Sequence, residues 1–448
     1  MKKAKTLAEI HQSCRPRPLQ RDELDEFFVD TSDARDAVLS RRRQMKQRLE
    51  RNPDANTKIL LAGHGGCGKS TELVKLAEDL SDNFFTVNFS VAQECNLFHV
   101  PVEDVLVVAM ERLLDACTGR GFANELTETT PALQEVYRWF AKELEIEEAT
   151  TEKTGEVEGS TAASLLKLLV RAKGLIRIGD KRVHRVTREK SQRLAGLTER
   201  CNLLVKEVKQ AVRRRNRNLL IVIEDLDKVD LEDVRRIFQE QPAVLAGLDA
   251  SLICTVPIFL HHSPSRAAYE QYFEPIVLPM LKVSEFDGSS CEEGREQIRR
   301  IVRKRVADSL IEADALDGLI GSSGGVLRDV FEVLIVAAEA AENLRERGSQ
   351  DPVITSDNIR YGLNRRKNEY ARAISVLDLP KEWDLSVKDL YRRLRELARG
   401  PVRVLPPDPA AMVLLKARAV LEYNGEQWFR VHPLVEELLK VMPREDDE

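Results

Sequence analysis

Lys58-Ile-Leu-Leu-Ala-Gly-His-Gly-Gly-Cys-Gly-Lys-Ser-Thr71 is the stretch of the sequence that decides the fold. After Lys58 the residues Ile59 to Ala62 are apolar, and the run ends at a glycine, which predicts a short buried strand over Lys58 to Ala62. Gly63 to Gly68 predict a tight loop, and the apolar spacing over 70–80 predicts a helix. A second apolar run, Phe84 to Val91, predicts the next strand. Strand, helix and strand in this order predict a parallel α/β sheet.

The loop in this stretch carries a phosphate-binding pattern. Gly63 to Thr71 reads GHGGCGKST and fits GxxxxGK[ST] in full. In such a loop the backbone N–H groups curl around phosphate oxygens, and glycine allows the close approach. Lys69 is predicted to reach the β- and γ-phosphates, and the Ser70 hydroxyl is predicted to bind Mg²⁺ at a helix N-terminus. The predicted nucleotide-binding residues are Gly63, Gly65, Gly66, Cys67, Gly68, Lys69, Ser70 and Thr71.

Two further apolar runs predict strands, Leu219 to Ile223 and Ser251 to Pro257, and the first of them ends in acids. Leu219 to Ile223 is followed directly by Glu224 and Asp225. A buried strand that delivers carboxylates beside a phosphate-binding loop supplies one acid for Mg²⁺ and one that orients or deprotonates the attacking water. We assign Glu224 to the metal and Asp225 to the water. The two roles could be exchanged, or Asp227 could contribute.

The composition indicates a soluble, helix-rich globular protein. The chain has 448 residues, of which 43% are hydrophobic, 5% aromatic and 32% charged, with a net charge of −5. Two or three domains are expected at this length. The seven cysteines are scattered without CxxC spacing, which argues against a disulfide framework or a zinc site. No apolar run is long enough to span a bilayer, and a cytoplasmic location is expected.

The middle of the chain separates its charges. Residues 135–158 contain eight acids and three bases, whereas residues 171–217 contain sixteen Lys/Arg and four Asp/Glu. Apolar residues recur at helical spacing from Leu194 to Val212, which predicts an amphipathic helix with basic outer faces. We interpret about 125–217 as a helical insertion, because 155 positions separate Lys69 from Glu224. It is either an arm that binds a protein partner or nucleic acid through 171–217, or a solvated helical hairpin.

The C-terminal residues predict a winged-helix domain. The pattern is helical from about Cys291 to Lys367. Farther on, Asn424-Gly425 separates two apolar runs, which is a strong hairpin signal. Helices are predicted before this hairpin and over Pro433 to Val441 after it. Pro409 to Ala417 occupies the recognition-helix position but carries only one base, so protein packing is favoured over sequence-specific DNA reading.

Four segments together resemble AAA+ ATPases, and most closely the initiator-like and STAND-type branches in which a winged helix follows the lid. These segments are GHGGCGKSTEL (63–73), LLIVIEDLDKVD (219–230), ICTVP (253–257) and SSGGVLRD (322–329). The resemblance implies that Thr255 matches sensor 1, which contacts the γ-phosphate or the attacking water. It also implies that Arg328 matches sensor 2 and acts on a phosphate. The alternative for Arg328 is a salt bridge with Asp329 or Glu332.

Two further roles rest on the same resemblance. Phe28 to Arg35 resembles the segment that covers the adenine, with a base contact expected at the backbone of Val29 to Thr31. A helix N-cap at Thr31 or Ser32 explains that segment equally well. Arg266 lies where related enzymes often carry an arginine finger, although an exposed arginine is the commoner explanation.

The resemblance implies four parts and a function. The parts are an N-terminal extension (1–27), an ATPase core (28–285), a helical lid (286–368) and a winged-helix domain (369–448). The expected function is an ATP-binding and ATP-hydrolysing regulatory switch that uses Mg²⁺. A prokaryotic stress or phage-defence system is the expected setting, and the switch is expected to work as a homo-oligomer or with a protein partner. The alternatives are a DNA-binding AAA+ ATPase of the replication-initiator or transposition-regulator type, and a nucleotide-binding scaffold that does not hydrolyse.

Overall fold

A five-stranded parallel sheet forms the centre of the molecule. The structure, a computed structural model, describes residues 1–36, 38–97, 99–120, 190–346, 353–374, 383–423 and 427–441. The sheet order is β2-β3-β4-β1-β5. Its strands are β1 Lys58–Gly63, β2 Phe84–Ser90, β3 Asn218–Glu224, β4 Ser251–Pro257 and β5 Glu274–Val277. The predicted parallel α/β sheet is confirmed, while β5 has no counterpart in the sequence analysis.

Helices cover both faces of this sheet, as parallel strands require. One face packs against the helices Val102–Gly119 and Lys190–Arg213. The other face packs against Arg41–Arg51 and Lys69–Asp79. Shorter helices that surround the strands are Val91–Glu94, Leu231–Arg235, Pro242–Ala246, Ile258–His261 and Ala267–Glu270. Leu24–Phe27 and Ser32–Arg35 contact the helix Glu292–Arg305. The alternate side chains of each strand are therefore buried in two separate cores.

The amphipathic helix predicted in the basic segment is present as Lys190–Arg213. Its apolar positions lie in the same core as β2 and β3, and they include Leu197, Cys201, Leu204, Val205, Val208 and Val212. This helix is thus a layer of the sheet domain and does not project from it as an arm. The acidic stretch and residues 171–189 lie outside the described residues.

Four helices form a second unit, here called the lid. They are Glu292–Arg305, Ala313–Ser322, Leu327–Glu346 and Ser356–Ala373. The N-terminal helix Leu7–Ser13 shares the core of the lid, where Leu7, Ile10 and Cys14 are buried. A parallel bridge between Ala4 and Val306 attaches the N-terminal segment to the lid. The first part of the predicted N-terminal extension is therefore packed into the helical unit, while Leu19, Leu24 and Phe27 form a separate cluster with Val74.

The C-terminal unit, residues 383–441, contains an antiparallel hairpin. Strands β6 (Val420–Tyr423) and β7 (Trp428–Val431) pair directly, as the apolar runs predicted. The accompanying helices are Val387–Leu397, Pro409–Lys416 and Pro433–Val441. In Pro409–Lys416 the side chains from Ala411 to Leu415 are buried, so this helix packs against protein. No helix in the described ranges is long and apolar enough to cross a membrane.

Candidate functional site

The phosphate loop, Gly63–Gly68, lies at the carboxyl edge of the sheet between β1 and the helix Lys69–Asp79. Gly66 and Gly68 have φ angles of +83° and +104°, which residues with a side chain rarely adopt. A Cβ on Gly66 would lie 2.7 Å from the Cβ of Arg328. Glycine at this position therefore lets the lid approach the loop closely.

Lys69 is buried inside the loop. Its ammonium group donates to the carbonyl oxygens of Gly63 (2.8 Å) and His64 (3.0 Å). The third partner is the Asp227 carboxylate, 2.8 Å away. Burial opposes the charge of Lys69, but the neighbouring Asp227 outweighs it and raises the pKa of the ammonium. The lysine is therefore a fixed cation at the centre of the loop.

Glu224 lies beside Ser70, and these are the two residues that the sequence assigns to Mg²⁺. Burial raises the pKa of Glu224, and hydrogen bonds from Ser70 and Asn88 oppose that rise. The Asn88 amide of β2 donates to the Glu224 carboxylate at 2.6 Å. A hydroxyl and a carboxylate at one point are oxygen ligands of the kind that Mg²⁺ prefers. These residues fit the predicted metal.

Asp225 occupies a tight turn after β3. Its φ angle is +69°, and its backbone N–H donates to the Thr255 hydroxyl at 2.8 Å. Its carboxylate accepts from the Ser90 hydroxyl at 2.5 Å and pairs with Lys228 at 2.8 Å. The Thr255 hydroxyl in turn donates to Asp227 at 3.3 Å. The structure thus brings Glu224, Asp225 and Thr255 together, while Asp227 contacts the lysine of the phosphate loop.

Arg328 enters the site from the start of the lid helix Leu327–Glu346. A Cβ on Gly65 would lie 3.9 Å from its Nη1 atom. Both acids of the alternative salt bridge are instead paired with Arg366, Asp329 at 2.8 Å and Glu332 at 2.8 Å. Within the described residues Arg328 itself forms no ion pair. Its guanidinium group is therefore available to an anion beside the loop.

The backbone before Arg328 explains how the arginine is placed. Gly325 has a φ angle of +83°, and a Cβ there would lie 1.9 Å from the carbonyl oxygen of Leu281. Any larger residue would clash with backbone, so the glycine allows the lid helix to begin directly against the sheet domain.

Two arginines and a histidine at the loop were not predicted from the sequence. Arg35 is buried and donates to the carbonyl oxygens of Cys67 (2.6 Å) and Pro279, and to the Thr31 hydroxyl. Arg418 of the C-terminal unit lies 3.5 Å from the carbonyl oxygen of Gly65. The His64 Nε2 atom accepts from the backbone N–H of Glu422 at 2.9 Å. Arg35 ends the segment interpreted as the adenine cover and His64 lies inside the phosphate-loop pattern, whereas Arg418 had no sequence signal.

Several predicted residues have other partners. Thr31 occupies the N-cap position of the helix Ser32–Arg35, as one alternative predicted, but its side chain makes no capping hydrogen bond and its hydroxyl accepts from Arg35. The Thr71 hydroxyl accepts from the backbone of Leu19 at 3.4 Å. Arg266 is half exposed and pairs with Glu270 at 2.9 Å. The arrangement of Arg266 matches the surface-arginine alternative.

Electrostatics at the loop favour an anionic ligand. The cations around the loop are Lys69, which directly follows it and donates to its carbonyl oxygens, and Arg328, Arg418 and Arg35, which approach it from other parts of the chain. Burial, with the nearby cations Lys69 and Arg418, lowers the pKa of His64 to about 3, so this histidine is neutral. Gly63, Gly65, Gly66, Cys67, Gly68 and Lys69 form the cradle between these cations.

Comparison with known proteins agrees with this architecture. Residues 49–246 match the KAP family P-loop domain, which spans the phosphate loop and the acids after β3. A search of curated proteins finds no match. Together with the sheet order, the family match shows that the chain has the P-loop NTPase fold.

Solved structures that resemble the chain share little sequence with it. Cdc6p from Pyrobaculum aerophilum is 12% identical, with 92% of this chain and 97% of that chain covered and a TM-score of 0.34. The Walker-type ATPase of Pyrococcus abyssi is 12% identical, with 96% and 100% covered and a TM-score of 0.41. RuvB, the Holliday junction branch migration motor of Thermotoga maritima, is 12% identical, with 97% and 100% covered and a TM-score of 0.38.

Proposed function

We propose that this protein binds and hydrolyses ATP with Mg²⁺ and acts as a regulatory switch. The observation that carries the proposal is the meeting of the phosphate loop, the acids after β3 and an arginine of the lid at one edge of the sheet. Lys69 and Ser70 come from the loop, Glu224 lies beside Ser70, and Arg328 approaches from the lid. Phosphoryl transfer depends on positioning and charge stabilisation, which these groups provide.

Each residue has a defined task in this proposal. The loop amides and Lys69 hold the phosphates, while Ser70 and Glu224 hold Mg²⁺. Asp225 orients or deprotonates the attacking water, with Thr255 fixing the backbone of that turn at 2.8 Å. Arg328 stabilises charge on the transferred phosphoryl group. The bound nucleotide supplies the phosphoanhydride bond, and the metal ion neutralises part of its charge.

Contacts of the C-terminal unit support the switch. Its β6 strand donates to His64 of the phosphate loop, and its Arg418 lies 3.5 Å from both Gly65 and Asp329. Asp329 directly follows Arg328, so the lid and the C-terminal unit meet at the same place. In this proposal nucleotide binding changes these contacts, and nucleotide affinity and docking of the unit are then coupled reciprocally. We propose that the unit is a winged helix with a regulatory role. A DNA reader would need exposed base-reading side chains on its recognition helix, whereas Ala411 to Leu415 of the helix Pro409–Lys416 are buried.

The first test is the replacement of Lys69 by methionine, which removes the central cation. ATP affinity of the full chain is expected to fall by at least about 100-fold, the usual effect of removing one member of a buried charge contact. The measurement is an equilibrium titration with ATP in the presence of Mg²⁺.

A matched control for this test is Lys58→Met. Lys58 is a partly buried lysine and donates to the carbonyl oxygens of Leu248 and Ala250, but it lies at the start of β1, at the opposite edge of the sheet. Its loss should affect stability and leave ATP affinity unchanged. Equal affinity in the wild type and Lys69→Met, or no ATP binding by the wild type, would refute the proposed function.

The second test concerns Arg418→Gly. Arg418 follows the end of the helix Pro409–Lys416 with a φ angle of +60°, a position that glycine normally occupies. Glycine therefore suits the backbone while removing the guanidinium group. We expect ATP affinity to fall about tenfold, the size of one charge-assisted hydrogen bond. Titration should show no such loss for Arg399→Gly, an exposed arginine of the same unit; unchanged affinity in Arg418→Gly would contradict the coupling.

A further inference from the structure

The hydrogen bonds of Lys69 raise a question about how its ammonium reaches a phosphate. An ammonium group has three N–H donors. In the structure these donors face three acceptors, the carbonyl oxygens of Gly63 and His64 and the carboxylate of Asp227. A phosphate oxygen can therefore bind Lys69 only when one of these acceptors gives up its contact.

Asp227 differs from the other two acceptors in charge and attachment. The carbonyl oxygens belong to the phosphate loop itself and are neutral. Asp227 belongs to the turn after β3, and its side chain is 10% exposed. Burial raises the pKa of Asp227, but Lys69 outweighs burial, so the pKa is lowered and the group is an anion. An anion beside an incoming phosphate repels it, whereas a neutral carbonyl does not.

The second partner of Asp227, Thr255, links it to β4, the strand next to β3 in the sheet. Thr255 on β4 donates to its Oδ1 atom at 3.3 Å, and the same hydroxyl accepts from the backbone N–H of Asp225. A change in the position of Asp227 is thus transmitted to Thr255 and to the turn that carries Asp225. The loop lysine, Asp227 and Thr255 form one connected chain of contacts.

We propose that Asp227 competes with the nucleotide phosphate for Lys69, and that its release reports nucleotide binding to Thr255 and the catalytic turn. This inference rests on the proposed function and adds a positioning residue to it. The ligand is the terminal phosphates of a nucleoside di- or triphosphate. Asp227 acts through Lys69 and Thr255 and makes no contact with the nucleotide.

Asp227→Asn tests the competition, because it removes the charge and retains the size and the acceptor oxygen for Thr255. The probe is a fluorescent ADP analogue titrated into the full chain with Mg²⁺. We expect affinity to increase by about tenfold, since the ion pair no longer opposes phosphate binding. Asp227→Glu retains the charge and should bind no more tightly than the wild type.

The direction of the affinity change distinguishes this role from a structural one. Weaker or unchanged binding by a folded Asp227→Asn protein would overturn the competition while leaving the proposed function intact. Asp227→Ser removes the same charge with a smaller side chain and should also bind more tightly. Circular dichroism without nucleotide checks folding, and loss of the folded state in both variants would show that Asp227 is structural. Failure of the wild type itself to bind would instead refute the proposed function and this inference together.

Discussion

Asp225→Asn is expected to lower the rate of ATP hydrolysis by about 100-fold to 10,000-fold, the range for loss of a general base. Asparagine cannot take a proton from water. It tolerates the left-handed backbone that Asp225 adopts at φ +69°, so the turn should be retained. The amide can still accept from Ser90, which contacts the carboxylate at 2.5 Å. Because Glu224 and Lys69 are unchanged, ATP affinity should stay within about twofold.

The measurement is phosphate release at saturating ATP, together with an ATP titration of the same protein. Asp230→Asn is the matched control, because Asp230 is a nearby acid that caps the helix Leu231–Arg235 through its side chain. Asparagine caps a helix equally well, so this variant should hydrolyse like the wild type. If Asp225→Asn retained the wild-type rate, the roles of the two acids would be exchanged, and Glu224→Gln should then show the loss. Absence of phosphate release by the wild type would favour the non-hydrolysing scaffold.

Asp329→Ala is expected to lower the free energy of unfolding by about 3–5 kcal/mol, the cost of breaking a buried ion pair. Asp329 is 1% exposed and accepts from Arg366 at 2.8 Å and from the Tyr370 hydroxyl at 2.6 Å. Burial raises its pKa, but His432, Arg418 and Arg366 together lower the pKa below its usual range. The carboxylate is therefore charged, and alanine would remove the most buried carboxylate partner of Arg366 and the acceptor of the Tyr370 hydroxyl.

Urea denaturation followed by circular dichroism measures this loss. The matched control is Asp317→Ala, which removes another lid carboxylate that pairs with an arginine, Arg299, at 2.9 Å. Asp317 is 45% exposed, so its loss should cost no more than about 1 kcal/mol. Equal destabilisation by the two variants would contradict the buried network. Since Asp329 also lies 3.5 Å from Arg418, its removal should weaken docking of the C-terminal unit as well.

Local sequence patterns predicted most of the sheet domain. Four of the five strands carry apolar runs. A parallel strand that is buried on both faces needs a nearly continuous apolar run, and such a run can be read from the strand's own residues. β5 was missed because Glu274-Pro-Ile-Val277 is short and contains a proline. It is a strand through its pairing with β1, in which Ile59 lies opposite Glu274. That pairing joins segments more than 200 positions apart, and no local pattern encodes it.

In the candidate site, too, local patterns predicted some of the residues, and long-range packing decided their contacts. The loop pattern predicted Lys69 and Ser70, and the strand that ends in acids predicted Glu224 and Asp225. The sequence also named Asp227 as a third acid, but its ion pair with Lys69 follows from how β3 lies relative to the loop. Arg418 had no signal at all, because its contacts are with Gly65 and Asp329, far away along the chain.

The amino-acid sequence by itself determined the P-loop sheet, the phosphate loop and the acids that face it, because these depend on short-range spacing and on glycine at special backbone angles. Only the tertiary structure decided which cations surround the loop. The helical lid and the C-terminal unit bring Arg328 and Arg418 to it, and Arg35 reaches it from the N-terminal segment. The physical reason is that such contacts depend on the packing of whole units, where buried charges must find partners wherever the fold places them.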